Sequence, residues 1–109
     1  MWGNRMMTIL PDYEGKPVRL TDERLTHIKE HPEMAAMENA IKETLRSPQI
    51  VIRSGADASA NLNYRYYLGT LVGDKWLCVV VKYSKDDAFV LTAYLTDKTK
   101  KGELLWPRR

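Results

Sequence analysis

Two imidazoles, His27 and His31, stand four residues apart with Glu30 between them in Leu25-Thr26-His27-Ile28-Lys29-Glu30-His31-Pro32, and they are the only histidines of the chain. Imidazole changes charge nearer neutrality than any other unperturbed side chain, so a pair of them suits proton transfer or metal binding. The letters also fit the H-x-x-E-H pattern of the inverted zinc peptidases, where both histidines hold the metal. Catalytic zinc asks for a third protein ligand. There is no further histidine, the only cysteine lies in an apolar run, and an acid as distant as Glu103 would have to serve. Pro32 also breaks the helix where the motif should continue. The sequence therefore predicts no metal site and no cofactor.

Proton handling needs fewer parts. Cleaving RNA without a metal takes a base for the 2′-hydroxyl, an acid for the departing 5′-oxygen, and cations or hydroxyl donors around the phosphorus. One histidine, a tyrosine or lysine, and an arginine with a threonine supply these roles, and all of these types lie in segments that can converge.

The elements that must position them follow from periodicity and turn chemistry. Thr8-Ile9-Leu10 and Val18-Arg19-Leu20 flank a segment rich in Pro, Asp and Gly, which predicts a short hairpin or an extended arm. Thr21 or Asp22 caps a first helix, with Asp22 and Glu23 in its positive first turn and Pro32 at its end. A second helix is expected directly after Pro32, with Met34, Met37, Ile41 and Leu45 as its apolar stripe, stopped by Ser47-Pro48. At about 100° per residue, His27 and His31 lie about 40° apart and flank the core stripe of Leu25 and Ile28, toward the rim of whatever sheet the helix covers. Four strands follow, Ile50-Val51-Ile52, Leu62 to Leu71, Trp76 to Tyr83 and Ala88 to Thr96. Their short polar connections, Gly73-Asp74-Lys75 and Ser84 to Asp87, leave no room for crossover helices, and the longer Gly55 to Asn61 is the expected mobile loop. The predicted fold class is α+β, an N-terminal helical pair packed on one face of a four-stranded antiparallel meander.

Alternation along a strand then assigns faces. Phe89, Leu91, Ala93 and Leu95 form an apolar row expected against the helices, while Val90, Thr92, Tyr94 and Thr96 form a half-polar row. Lys82 ends the row Cys78-Val80-Lys82, and Tyr64 and Tyr66 alternate with Arg65 and Tyr67. A face of rings, hydroxyls and long cations suits nucleic acid, since rings stack on bases and cations neutralise phosphates. A solvated sheet face of Tyr, Thr and Lys is the plain alternative.

With 109 residues, 44% hydrophobic and 28% charged, the chain has the size of one small domain spanning residues 1–109, with 1–17 as the arm or hairpin. The longest apolar run, Leu77 to Val81, is too short to span a bilayer, and the first residues lack the apolar block of a secretion signal, so a cytoplasmic protein without a membrane segment is expected. Cys78 inside that run reads as a buried small hydrophobe. The net charge of +3 arises entirely after residue 54, where nine Lys and Arg face six Asp and Glu. Lys98, Lys100, Lys101, Arg108 and Arg109 concentrate it at the end, as an electrostatic footprint for phosphates or as a solvated tail.

The phrase Val18-Arg19-Leu20-Thr21-Asp22-Glu23-Arg24, followed by His27 and His31-Pro32-Glu33-Met34, the strand Phe89-Val90-Leu91-Thr92-Ala93-Tyr94-Leu95-Thr96-Asp97-Lys98, and Lys101-Gly102-Glu103 together resemble the phage-associated group of barnase-EndoU-colicin-RelE-like nuclease domains. The resemblance covers residues 18 to 106, and FVLTAYLTDK is its most specific part. It implies a compact barnase- and RelE-like α+β fold acting as a metal-independent ribonuclease, a toxin or phage-linked effector, with RNA as substrate and an antitoxin or immunity protein as partner. Carried over by position, the helix histidine falls on His27, the strand cation on Arg65 or Lys82, and the hydroxyl pair of the last strand on Thr92 and Tyr94. Tyr64, Tyr66, Lys98, Lys100 and Lys101 are then the expected RNA contacts. The rival expectation is a non-catalytic module that binds nucleic acid or protein through the same tyrosines and lysines.

Overall fold

The computed structural model describes residues 6–108, so the first five residues of the predicted arm and Arg109 of the basic tail lie outside the described residues. Strands β1 (Met7–Pro11) and β2 (Pro17–Thr21) form an antiparallel hairpin. Asp12, only 3% exposed, locks its turn by accepting the amides of Glu14 and Lys16 at 2.8 Å each. Gly15 supplies the left-handed residue, with φ 84°.

Helix α1 (Asp22–Lys29) starts where Thr21 Oγ1 accepts the Arg24 amide at 3.0 Å, and Asp22 and Glu23 occupy its first turn. After Pro32 the chain does not continue into a helix. It makes a single 3-10 turn, Pro32–Met34, closed by the Met34 amide on the His31 carbonyl, and α2 spans Glu38–Arg46. That tighter turn lets the chain change direction while Met34, Met37, Ile41 and Leu45 all reach the same core.

The remaining strands are β3 (Ile50–Arg53), β4 (Ala60–Thr70), β5 (Gly73–Ser84), β6 (Asp87–Thr96) and β7 (Leu104–Trp106), and all seven form one sheet in the order β1-β2-β6-β5-β4-β3-β7. The β4–β5 turn falls on Leu71 and Val72, because Gly73, with φ 100°, already pairs with Thr70. The expectation of a helical pair on a four-stranded antiparallel meander is thus overturned: the molecule is mostly sheet, seven strands of mixed direction with two short helices. Two features account for the difference. The hairpin joins the sheet through a parallel contact of Arg19 with Phe89, held by a two-pronged bond from Arg19 to Asp87 at 2.9 and 2.7 Å and by the guanidinium over the Phe89 ring. At the far edge β7, three residues long and so without a readable period, pairs with β3.

The helices cover one face of the sheet, burying Leu77, Val79 and Val81 of β5 against Val18, Leu20, Ile28, Met34, Ile41 and Leu45. The other face holds a second core of Ile52, Leu62, Tyr64, Cys78 and Val80. It is crossed by the segment 97–103, whose Lys100 amide bonds to the Tyr64 hydroxyl at 3.0 Å. This strap leads from β6 past β5, β4 and β3 to β7. Four strand spacings of about 4.8 Å make about 19 Å, close to the reach of seven extended residues at about 3.3 Å each.

The expected row Phe89, Leu91, Ala93 and Leu95 is broken. Val80 pairs with Thr92 but Val81 pairs with Val90, so Leu91 is a bulge residue, left exposed, and the facing of β6 inverts around it. Ala88 and Val90 before the bulge, and Ala93 and Leu95 after it, lie against the helices. Phe89 lies beside Lys82 on the strap side.

Candidate active site

Because β2 touches β6 at Phe89 alone, the rest of the β6 edge is open to α1 and the 3-10 turn. A groove of about 140 Å³ forms there, and His27, His31, Glu33, Thr92, Ala93 and Tyr94 line it. His27 is 65% exposed at its side chain, with Nδ1 3.4 Å from Glu30 Oε1. Of the five residues predicted for catalysis, His27, Thr92 and Tyr94 border this groove, but Thr92 and Tyr94, in register with Val80 and Cys78, turn their side chains to the strap face of the sheet, while His27 comes from the helix that covers the opposite face. The groove adds Glu33, and also His31, which the sequence reading named beside His27 but did not place in the catalytic set. The four-residue spacing of the histidines was the signal for His31, since it already placed both on one side of α1.

Tyr94 stands at the meeting of this groove with the second core. It pairs across the sheet with Cys78, which pairs in turn with Tyr64. Burial pushes the Tyr94 phenol well above its ordinary value, and its hydrogen bond with the Cys78 thiol acts in the same direction. Burial also raises the Cys78 thiol, against the opposing pull of its hydrogen bonds to Tyr94 and Tyr64. At neutral pH the phenol is a neutral hydrogen-bonding group.

Arg65 and Lys82 do not reach the groove. Arg65 pairs with Leu77 and so belongs to the helix side of β4, two strands from β6. There it donates to the Ser47 carbonyl at 2.7 Å and lies 3.5 Å from Glu43, closing the C-terminal end of α2. Lys82 is on the strap side but is bonded to Asp57, whose carboxyl is pulled down to about 2, chiefly by that lysine and then by Ser59. Ser54 further ties the turn by accepting the amides of Ala56 and Asp57, so the Gly55 to Asn61 connection is stitched by its own side chains. Among the described residues no Lys or Arg lines the groove.

Of the expected RNA contacts, Tyr64 is fully buried and has no ring face for a base to meet; its position under the strap is the reason. Tyr66 is 41% exposed and sits edge-on to Trp76 at 5.2 Å between centroids. Lys98, Lys100 and Lys101 are exposed on the strap, and among the described residues none of them makes an ion pair. Glu103 is bonded to Arg53 at 2.9 Å, so the HIKEH stretch gains no ligand from it. Among the described residues no three His, Cys, Asp or Glu side chains converge as a metal-ligand set, and no helix is long and apolar enough to cross a membrane.

Comparison with known families places the chain among nuclease domains of the barnase, EndoU, colicin and RelE type. The matching family model, described as phage-Barnase-EndoU-ColicinE5/D-RelE like nuclease2, covers residues 4–107, and the chain belongs to that family. No curated protein and no solved structure gives a match to the chain.

Proposed function

We propose that this domain cleaves RNA without a metal, by attack of the 2′-hydroxyl on the adjacent phosphorus, in the groove between α1 and the β6 edge. What supports the reading is that both imidazoles line one groove along β6, which Thr92 and Tyr94 border from the strap face. Glu30 beside Nδ1 of His27 favours the proton on that nitrogen, which leaves Nε2 to accept the 2′-hydroxyl proton as base. As the bond from the 2′-oxygen to phosphorus forms and the bond to the 5′-oxygen breaks, His31 in its imidazolium form delivers the proton to the leaving oxygen. The products are a 2′,3′-cyclic phosphate and a free 5′-hydroxyl. Tyr94, kept protonated by burial and bonded to the Cys78 thiol, holds the β6 edge of the groove from the strap side. A groove this small admits a phosphodiester and leaves the bases outside, where Lys98, Lys100 and Lys101 neutralise flanking phosphates. A cytoplasmic setting and a restraining antitoxin or immunity protein belong to the same reading.

The absence of Lys and Arg among the described residues of the groove favours a second reading, a nucleic-acid binder without catalysis. Incubating the protein with mixed RNA in the presence of a chelator, and analysing the product ends, separates the two. Cyclic phosphate ends are expected from the parent, and His27→Ala and His31→Ala should each lower the rate by about 10²- to 10⁴-fold. Parental activity in both variants would remove the assignment. Steeply salt-dependent binding with no product would establish the binder instead.

A further inference from the structure

A concavity larger than the histidine groove lies elsewhere among the described residues. A cavity of about 730 Å³ opens around the start of β6 and shares no lining residue with the groove along its second half. It exists because the sheet curls. The β1–β2 turn at one edge and the chain around β7 at the other meet across it, with the Tyr13 ring 5.8 Å from the Trp106 ring and Arg108 bonded to Glu14.

Three features of its lining point to one kind of ligand. Tyr83 presents a ring held in place from behind, since its phenol donates to the buried carboxylate of Asp12 at 2.6 Å. Asn61 offers a donor and an acceptor side by side, and among the described residues its side-chain amide bonds to no other group. At the rim, Lys85 has no ion-pair partner among the described residues, while Lys16 lies 3.5 Å from Glu14 and 5.9 Å from the Tyr83 ring centre. Two of the three acids in the lining are already matched, Glu14 by Arg108 and Asp87 by Arg19. A simple anion would leave the ring unused, and an apolar ligand would strand the amide and the ammonium groups. The volume is that of an ordinary small-molecule pocket.

We propose that this cavity binds a nucleoside phosphate, with the base on the Tyr83 ring and read by Asn61, and the phosphate held at the rim by Lys85 and Lys16. Such a ligand has two sources, a free nucleotide or one nucleotide of an RNA strand. The site is separate from the histidine groove, so it stands whether or not that groove is catalytic.

Calorimetric titration of the whole chain tests it, using the four nucleoside 5′-monophosphates and a short 2′-O-methyl oligonucleotide that cannot be cleaved by 2′-hydroxyl attack. Saturable binding of at least one probe is expected. Asn61→Ala and Lys85→Ala, whose side chains have no hydrogen-bond or ion-pair partner among the described residues, should each weaken binding about fivefold, the value of one hydrogen bond or rim charge. His27→Ala should bind as the parent does. An oligonucleotide no tighter than the monophosphate indicates a free nucleotide; a tighter one with the same two dependences indicates a strand. The proposal is overturned if no probe saturates by about 10 mM, if both cavity variants bind like the parent, or if His27→Ala is the variant that loses binding.

Discussion

Raising the pH should unfold this domain abruptly, and its tyrosines set where. Tyr64 and Tyr67 are pushed up to about 12, and Tyr83 and Tyr94 are raised further, in every case chiefly by burial. Hydrogen bonds to acids add to the effect at Tyr67, which donates to Glu43 at 2.7 Å, and at Tyr83, which donates to Asp12. In the unfolded chain each phenol ionises near about 10. A folded value above the unfolded one means that the native state keeps a proton the unfolded state has lost. The stability these groups contribute is therefore fully present below about pH 10 and disappears as pH rises through the folded values. Each such group makes stability fall by about 1.4 kcal/mol per pH unit in that window. Four together give about 5 kcal/mol per unit between roughly pH 10.5 and 12, enough to exhaust the 5–15 kcal/mol typical of a small domain. Tyrosinate absorbance and far-ultraviolet circular dichroism, followed through one alkaline titration, provide the assay. Both signals should change in one steep, coincident step, and Tyr67→Phe should reduce the steepness by about a quarter. A broad phenol titration centred near the ordinary tyrosine value, with the dichroism intact, would refute the reasoning.

Asp12→Ala removes the acceptor of three hydrogen bonds and should cost about 3–5 kcal/mol by urea denaturation, whereas Asp12→Asn, which still accepts both turn amides, should cost about 1–2; equal losses would show that the turn does not depend on this acceptor. A side chain at Gly102 would meet the Arg53 carbonyl at 2.7 Å, so Gly102→Ala should destabilise by about 1–3 kcal/mol. Gly55→Ala, with open space around it, should stay within about 0.5 kcal/mol in the same assay.

What could be read from the sequence was local. Thr21 with Asp22 and Glu23 marks the start of α1 through capping and dipole chemistry confined to one turn, and the Pro-Asp-Gly segment marks the hairpin turn for the same reason. The stripe Met34, Met37, Ile41 and Leu45 is legible because burial follows helical spacing even across a break in the helix. Leu91 was not legible. A bulge leaves the hydrophobic letters unchanged and alters only which partner each residue opposes, so the row through Phe89 and Leu91 was assigned to the wrong face. The parallel joint of Arg19 to Phe89 and the three-residue β7 are long-range pairings with no periodic trace. In the candidate site, the position of His27 was legible because its helix was, and the facing of Thr92 and Tyr94 because they follow the bulge and keep the expected alternation, away from the helices. Arg65 and Lys82 failed for a tertiary reason: Ser47, Glu43 and Asp57, distant in sequence, hold them elsewhere.

The strap over the second core has a temporal consequence. It is fastened at its ends, by Asp97 to Lys75 and by Glu103 to Arg53 through both side chain and backbone, and over its middle chiefly by the Lys100 amide on Tyr64, so it can seat only after β3 to β6 have assembled. Last to close, it should be first to breathe, well below the free energy of global unfolding. Each such opening uncovers Cys78, so the rate at which that thiol takes up an alkylating reagent would clock the motion of the strap.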